Sequence, residues 1–125
     1  MELKRVVITG VGTVNPLGNS VEEFWKNLKN GVSGAGPITR FDPSKHKTQF
    51  ACEVKNFDAG IYIDRKEIRK HDLYTQFAYA ATEQAIVDSR LNLDQIDNDR
   101  VGVIWGAGIG GLQTFFEEAR SFEEE

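Results

Sequence analysis

Two short apolar runs, each closed by glycine, are the clearest feature of the chain. Residues 5–10 read RVVITG, and residues 101–106 read VGVIWG. Runs of this length that are rich in β-branched residues are typical of strands buried on both faces of a sheet. We therefore predict central strands at residues 5–10 and 101–105, and a further strand at residues 49–54.

Between these runs the apolar spacing changes to that of amphipathic helices. Ser20 and Glu23 form a capping box at the start of one helix, and Gly31 supplies a left-handed stop at its end. Residues 65–70 predict a short helix and residues 73–90 a longer one, whose many alanines suggest close packing against another element. The first helix has apolar residues at i, i+3, i+4 and i+7: Val21, Phe24, Trp25 and Leu28. One side of the second long helix carries Leu73, Phe77, Ala80, Ala81 and Ala85.

A last helical stripe follows the second glycine-rich turn. It consists of Leu112, Phe115, Phe116 and Ala119. Strands that alternate with helices predict an α/β layer fold, with residues 32–48 as an irregular surface excursion. Phe115 and Phe116 need an apolar partner that the residues after them do not supply. We therefore expect the chain to be part of a longer protein.

Composition narrows the class of protein. The 125 residues are 40% hydrophobic, which fits one compact domain at most. No apolar run approaches the roughly 20 residues that cross a bilayer, and the start of the chain does not resemble a signal peptide. We expect a cytoplasmic protein that does not contact a membrane. His46, His71 and Cys52 do not have the spacing of metal ligands, so we expect no metal and no other cofactor.

The charge is distributed unevenly along the chain. Residues 1–70 carry a net +4 and residues 71–125 a net −8, which gives the overall −4. This acidic balance argues against nucleic acid as a partner. Four cations of the predicted 65–70 helix would share one side of it: Arg65, Lys66, Arg69 and Lys70. The pattern alone allows either a solvated face or a docking surface for an acidic partner.

Two motifs suggest chemistry that their surroundings do not support. The GVG run at residues 10–12 begins like a dinucleotide-binding fingerprint, but its sixth position is Asn15. We interpret the run as a tight turn beside a sheet. Cys52 is followed by Glu53, whose carboxylate opposes thiolate formation. We expect Cys52 to be a buried or half-buried structural residue rather than a nucleophile.

The second glycine-rich turn, residues 106–111 (GAGIGG), has more glycine than an ordinary turn requires. Such a loop either adopts positive φ angles or lies too close to another group for side chains to fit. Ile109 is its only bulky residue and is a candidate gate or wall of an apolar pocket. A strained turn without a ligand is the alternative, and the pattern does not separate the two.

Taken together, these segments resemble the β-ketoacyl-[acyl carrier protein] synthases, most closely the type II enzymes of fatty-acid synthesis. The matching segments occur in the family's order and spacing: residues 5–12 with 16–19, 31–34 leading to Ile38 and Phe41, 63–70, and 101–104 running into 108–111. The resemblance implies a thiolase-like, layered α-β-α-β-α fold in a homodimer. Residues 1–125 would be the N-terminal part of its first half-domain.

The resemblance also implies a reaction, the decarboxylative condensation of malonyl-carrier protein with an acyl thioester. The family uses a cysteine, two histidines and a lysine, and all four would lie after Glu125. No catalytic residue is therefore expected in this chain. Gly108 and Ile109 resemble the family's acyl-pocket gate. The residues that resemble its docking surface for acyl carrier protein are Lys66, Arg69 and Lys70.

Three residues depart from the family's usual pattern. His71 stands where a hydrophobic residue is common, Cys52 where a small one is usual, and Trp105 is bulkier than the typical residue before the gate. Two alternatives to a fatty-acid synthase stay open. One is a ketosynthase or chain-length partner of polyketide or aryl-polyene synthesis. The other is a non-catalytic module that docks a carrier protein.

Overall fold

A computed structural model describes residues 3–124, and its ordered elements are mainly helices. The helices are α1 (Val21–Lys29), α2 (Arg65–Ile68), α3 (Leu73–Ser89) and α4 (Leu112–Glu124). Short 3₁₀ turns lie at Ala59–Ile61, Leu93–Gln95 and Asn98–Arg100. Strands β1 (Gly36–Pro37) and β2 (Phe50–Ala51) pair in antiparallel fashion. No helix within residues 3–124 is long and apolar enough to cross a membrane.

The predicted bounds of α1 and α3 are confirmed to within one residue, whereas α2 ends two residues before its predicted end. The capping box of α1 is present in altered form. The Ser20 hydroxyl accepts a hydrogen bond from the Glu23 amide at 3.2 Å, which caps α1. The Glu23 carboxylate accepts from the amide of Asn19 at 2.8 Å, one residue before the cap. Gly31 takes the predicted left-handed conformation, with φ of +67°. The chain can therefore turn away immediately after α1.

The predicted central strands at residues 5–10 and 101–105 are wrong for this chain. Neither run is a strand, and Val6 is 89% and Ile104 99% exposed. A strand requires hydrogen-bonded neighbours, and no backbone hydrogen bond within residues 3–124 joins the two runs. They line a common groove of about 430 Å³ over α3 without pairing. The third predicted strand, at 49–54, is reduced to β2 for the same reason.

The carboxylate of Glu53 holds the irregular surface segment that follows α1, residues 32–48. Glu53 accepts from the Thr39 hydroxyl at 2.6 Å and from the Thr39 amide at 3.1 Å. These hydrogen bonds lower the pKa of Glu53, the hydroxyl contributing more than the amide. The stabilisation from these hydrogen bonds is therefore fully present when the pH is above the usual glutamate pKa. It is lost as the pH falls through the lowered pKa of Glu53.

The first glycine turn, residues 10–12, lies directly against the backbone of α3. A Cβ atom added at Gly12 would overlap the carbonyl of Ala81, and one added at Gly10 would overlap the carbonyl of Ala85. The alanines were expected to permit close packing, and Ala81 is buried, as is its neighbour Ala80. The turn and the helix thus approach each other backbone to backbone. This approach explains the glycines without a nucleotide.

Side chains of α3 hold the rest of that turn in place. The Asp88 carboxylate accepts from the Val11 amide at 2.9 Å. The Gln84 side chain accepts from the Thr13 amide at 3.1 Å and donates to the Asn19 carbonyl at 2.8 Å. One glutamine therefore secures both ends of the loop that leads into α1.

The remaining buried apolar groups gather where the 3₁₀ turn at Ala59–Ile61 meets α3. Ala59 and Ile63 are buried there. Phe57 packs edge-on against Phe77 of α3, with ring centroids 4.9 Å apart, and stacks on Tyr62. Helix α3 is therefore the common support for the segments on either side of it.

Substitution of Gly12 by alanine should destabilise the chain, because the new methyl group would overlap the Ala81 carbonyl. Overpacking of this kind costs about 1–3 kcal/mol. The matched control is Gly102→Ala, since a Cβ at Gly102 meets no heavy atom within 4 Å. The control should change the free energy of unfolding by less than about 0.5 kcal/mol. Urea unfolding measures both, and equal losses in the two variants would contradict the proposed close approach.

Candidate functional site

The glycine loop, residues 106–111, is fixed to the start of α3 at its C-terminal end. A Cβ at Gly110 would lie 2.7 Å from the ring of Tyr74, and one at Gly111 would lie 2.5 Å from the carboxylate of Asp72. Gly111 also has a positive φ of +63°. Gly111 is therefore required by its positive φ, whereas the close contact at Gly110 is with the ring of the Tyr74 side chain.

Asp72 connects the starts of two helices. It is the N-cap residue of α3, yet its side chain makes no capping bond to that helix. Its carboxylate instead accepts a hydrogen bond from the hydroxyl of Thr114, in the first turn of α4. The bond joins residues that are 42 positions apart and ties the C-terminal side of the glycine loop to α3.

The predicted gate residues lie at the open end of this loop. Ile109 is 79% exposed. Gly108 has neither a positive φ nor a crowded position, since a Cβ there would meet no heavy atom within 4 Å. The expected close approach is thus absent at Gly108 within the described residues. The role of Gly108 and Ile109 as an acyl-pocket gate stays a prediction.

The predicted basic cluster is divided between two positions. Helix α2 is capped by Asp64, which accepts from the Lys66 amide at 2.9 Å. Arg65, Lys66 and Arg69 line one exposed depression. Lys70 follows the helix end and forms an ion pair with Glu67 at 2.7 Å. Lys70 was expected to share one side of the helix with the other three cations, but α2 ends at Ile68 and Lys70 does not line their depression.

One side chain of α3 holds the turn that carries these cations. Gln76 donates to the carbonyl of His71 at 2.7 Å and to that of Ile68 at 3.3 Å. These carbonyls flank Arg69 and Lys70, so the hydrogen bonds from Gln76 fix the backbone that carries both cations. We call residues 68–71 the basic turn. The His71 ring lies against Tyr79, with centroids 5.5 Å apart.

Cys52 does not occupy the place expected for it. It is exposed rather than buried or half-buried. Ala51, the neighbouring residue in β2, is half-buried, and within residues 3–124 no further strand covers the segment after β2. Within residues 3–124 no group of three His, Cys, Asp or Glu side chains could hold a metal ion.

Sequence reasoning did not identify four residues that shape these sites: Asp72, Tyr74, Gln76 and Thr114. Each acts through a contact that joins separate turns or helices, and local spacing contains no trace of such contacts. The glycine pair at 110–111 did indicate that another group lies close to the loop, but it did not identify that group as Tyr74 or Asp72.

Residues 3–125 match the family model described as beta-ketoacyl synthase, N-terminal domain. The chain belongs to the β-ketoacyl synthase family. The thiolase-like fold class predicted from the sequence is thereby confirmed, with the chain forming an incomplete part of that fold.

Curated relatives of this β-ketoacyl synthase segment are themselves named as 3-oxoacyl-[acyl-carrier-protein] synthases. The chain is 51% identical over 112 residues to a 3-oxoacyl-[acyl-carrier-protein] synthase 2 of Coxiella burnetii, covering 90% of this chain. It is 44% identical over 118 residues to the protein of that name from Synechocystis sp., covering 94% of this chain. The chain spans 27% and 28% of the length of these two relatives, respectively.

Solved ketosynthase structures share the architecture. One is a type II polyketide ketosynthase bound to its acyl-carrier protein and a hexaketide. It is 29% identical, with a TM-score of 0.78 over 98% of this chain and 31% of its own. The ishigamide ketosynthase/chain length factor is 38% identical, with a TM-score of 0.65 over 72% of this chain and 22% of its own.

Proposed function

We propose that residues 1–125 form the N-terminal part of the first half-domain of a 3-oxoacyl-[acyl carrier protein] synthase II. The whole protein would condense malonyl-carrier protein with an acyl thioester during fatty-acid elongation. The observation that carries the proposal is 51% identity over 90% of this chain to a protein named for that activity. The family match over residues 3–125 supports it.

The proposal divides the chemistry between this chain and the rest of the protein. An acyl group moves from the carrier protein to a cysteine, and loss of carbon dioxide from malonyl-carrier protein leaves a carbanion that attacks the resulting thioester. The cysteine, two histidines and lysine for these steps are proposed to lie beyond residue 125. Residues 1–125 would contribute recognition, through a docking surface and a pocket gate. No metal or other cofactor is part of the proposal.

The docking surface is proposed to comprise Lys66, Arg69 and Lys70, and its partner is acyl carrier protein. All three side chains are exposed, and Lys66 and Arg69 face one depression with Arg65. Opposed charge on an acidic partner would speed encounter. The solved ketosynthase that captures an acyl-carrier protein supports a partner of this class. Because Lys70 pairs with Glu67, we assign it the smallest part in docking.

The gate is proposed to be Gly108 with Ile109. The Ile109 side chain projects from a loop with glycine on both sides and is 79% exposed in this chain. A large apolar side chain on such a loop could bound the entrance of an acyl pocket completed by the rest of the protein. A homodimer and a cytoplasmic location are part of the same proposal.

A polyketide ketosynthase or chain-length partner is the second candidate. The two solved structures with the same architecture favour it, because one is a type II polyketide ketosynthase and the other is a ketosynthase/chain length factor. The fatty-acid proposal is preferred because the curated relatives share 44–51% identity, compared with 29–38% for those structures. Formation of a 3-oxoacyl product from short saturated acyl primers by the complete protein tests the choice. Exclusive formation of polyketide products would reject the fatty-acid proposal.

The chain by itself should not form an acyl-enzyme. Cys52 is exposed and next to Glu53, and nothing in the proposal gives it a nucleophilic role. After incubation of residues 1–125 with acyl-carrier protein, intact-mass spectrometry should detect no thioester adduct. The complete protein is the positive control and should carry one acyl group. A stable adduct on Cys52 would contradict the assignment of the nucleophile to a later residue.

Expression in the native cell tests the docking-module alternative, since a natural 14.0 kDa product would favour that module.

Ile109 should set which acyl chains the complete protein accepts. Ile109→Gly should loosen the entrance, and Ile109→Trp should block the longer chains. The matched controls are Ile61→Gly and Ile61→Trp, since Ile61 is another exposed isoleucine, distant in sequence from the loop. Product chain lengths are measured by mass spectrometry. An unchanged profile in both Ile109 variants would remove this residue from the gate.

Reversal of two docking charges, Arg69→Glu with Lys70→Glu, should slow association with acyl carrier protein. Exposed charge pairs contribute only about 0.2–1 kcal/mol each, so the effect should be collective. The loss should shrink with salt, because the Debye length falls from about 10 Å at 0.1 M to about 3 Å at 1 M.

The measurement is the rate with acyl-carrier protein and with a short acyl-CoA primer, at low and high salt. The primer lacks the acidic protein surface, so its self-acylation rate should change little. The matched control is Lys45→Glu with Lys47→Glu, which changes the net charge equally on the exposed excursion. Equal losses with both substrates would indicate that the basic turn supports folding, and no loss with either would indicate a solvated face.

A further inference from the structure

We propose that Asp72 and Thr114 are positioning residues for the acyl-pocket gate, acting through the bond between their side chains. They would hold the glycine loop so that Ile109 has one defined place at the pocket entrance. The inference rests on the proposed function, because it gives a specificity role to a contact whose gate is itself proposed.

Within residues 3–124, the contacts that hold the glycine loop lie after Ile109. Residues 101–105, which precede it, have no backbone hydrogen bond to a neighbouring strand within residues 3–124. After the gate, Gly110 lies against the Tyr74 ring and Gly111 against the Asp72 carboxylate. In this part of the chain, the path of Ile109 is therefore set by what fixes the loop's C-terminal end.

Asp72 lies at the start of α3 but bonds to a side chain of α4. An aspartate at an N-cap ordinarily accepts from an amide in the first turn of its own helix. Asp72 occupies the N-cap position of α3 but makes no capping hydrogen bond to it. Its carboxylate instead accepts a hydrogen bond from Thr114 of α4. The negative group lies beside the starts of both helices, where partial positive charge favours it. The carboxylate thus serves the junction between the helices.

The first turn of α4 connects the bond between Asp72 and Thr114 to the gate. Thr114 is the third residue of α4 and Gly111 immediately precedes that helix. The Phe115 amide donates to the Gly111 carbonyl at 2.9 Å, so the last residue of the loop is part of the first helical turn. A shift of Thr114 would therefore move Gly111, and Ile109 is two residues away.

A purely structural role is the competing explanation. In that case the bond would only attach α4 to α3, and its loss would lower stability and total activity without altering the choice of acyl chain. The positioning role differs because the selectivity for acyl chains should change together with the order of the loop.

The experiment compares Thr114→Val, which removes the donor, with Thr114→Ser, which keeps it, in the complete protein. Thr114→Val should change the ratio of rates with the longest and shortest accepted acyl primers by about threefold to tenfold, as expected for loss of a typical intramolecular hydrogen bond. Amide hydrogen exchange in residues 106–111 should accelerate by a similar factor. Thr114→Ser should restore both values.

The matched control is Thr75→Val, the same substitution at the third position of α3. It should alter neither the primer ratio nor exchange in the glycine loop. Asp72→Ala should reproduce the effect of Thr114→Val, and the double variant should add little, because both changes remove one bond. If Thr114→Val lowers the melting temperature but leaves the ratio and loop exchange at wild-type values, the positioning role is wrong.

Failure of the proposed function has a different signature. If the Ile109 variants leave chain length unchanged while Thr114→Val still accelerates loop exchange, the gate assignment is wrong and the specificity role falls with it. If the complete protein forms no 3-oxoacyl product, the proposed function is wrong. Unchanged exchange in the glycine loop would then also reject the positioning of the loop itself.

Discussion

The backbone-to-backbone approach between the first glycine turn and α3 is the constraint on which the rest of the structure depends. It is possible only because Gly10 and Gly12 meet the helix where Ala81 and Ala85 offer almost no side chain. Once the turn is seated, Gln84 can reach both ends of the following loop. That loop in turn fixes the start of α1.

Both candidate recognition sites depend on the opposite end of the same helix. Gln76 holds the basic turn through two carbonyls, and Asp72 holds the start of α4. Helix α3 therefore supports the docking surface and the glycine loop from within one turn of its N-terminus. The separation of the two sites along the sequence, about 40 residues, conceals how directly they share this support.

The sequence was sufficient for features determined by neighbouring residues. Helix α1 and the stop at Gly31 follow from periodicity and capping, which are local. The bounds of α3 were also predicted to within one residue, although its N-cap side chain makes no capping bond. The runs at 5–10 and 101–105 were read correctly as apolar, but a strand is a property of a pair, and their pairing is not made within residues 3–124.

The same distinction applies within the sites. The cations of the basic turn were visible as a cluster, whereas the end of α2 at Ile68 and the pairing of Lys70 with Glu67 were not. Helical spacing was extended two residues too far, so Lys70 was placed beside residues it does not join. The bond between Asp72 and Thr114 had no local signal at all, because neither residue is unusual in its own helix.

The hydrogen bonds of the first glycine turn also constrain the order in which the chain can fold. Val11 bonds to Asp88, and Thr13 to Gln84, across 77 and 71 positions of sequence. Such closures lose chain entropy before they gain contacts, and they are slow compared with formation of a helix. Helix α1 can form early from its own cap, but its place in the molecule waits for α3. During synthesis, Val11 and Thr13 therefore gain these bonds only after Asp88 and Gln84 have been added to the chain.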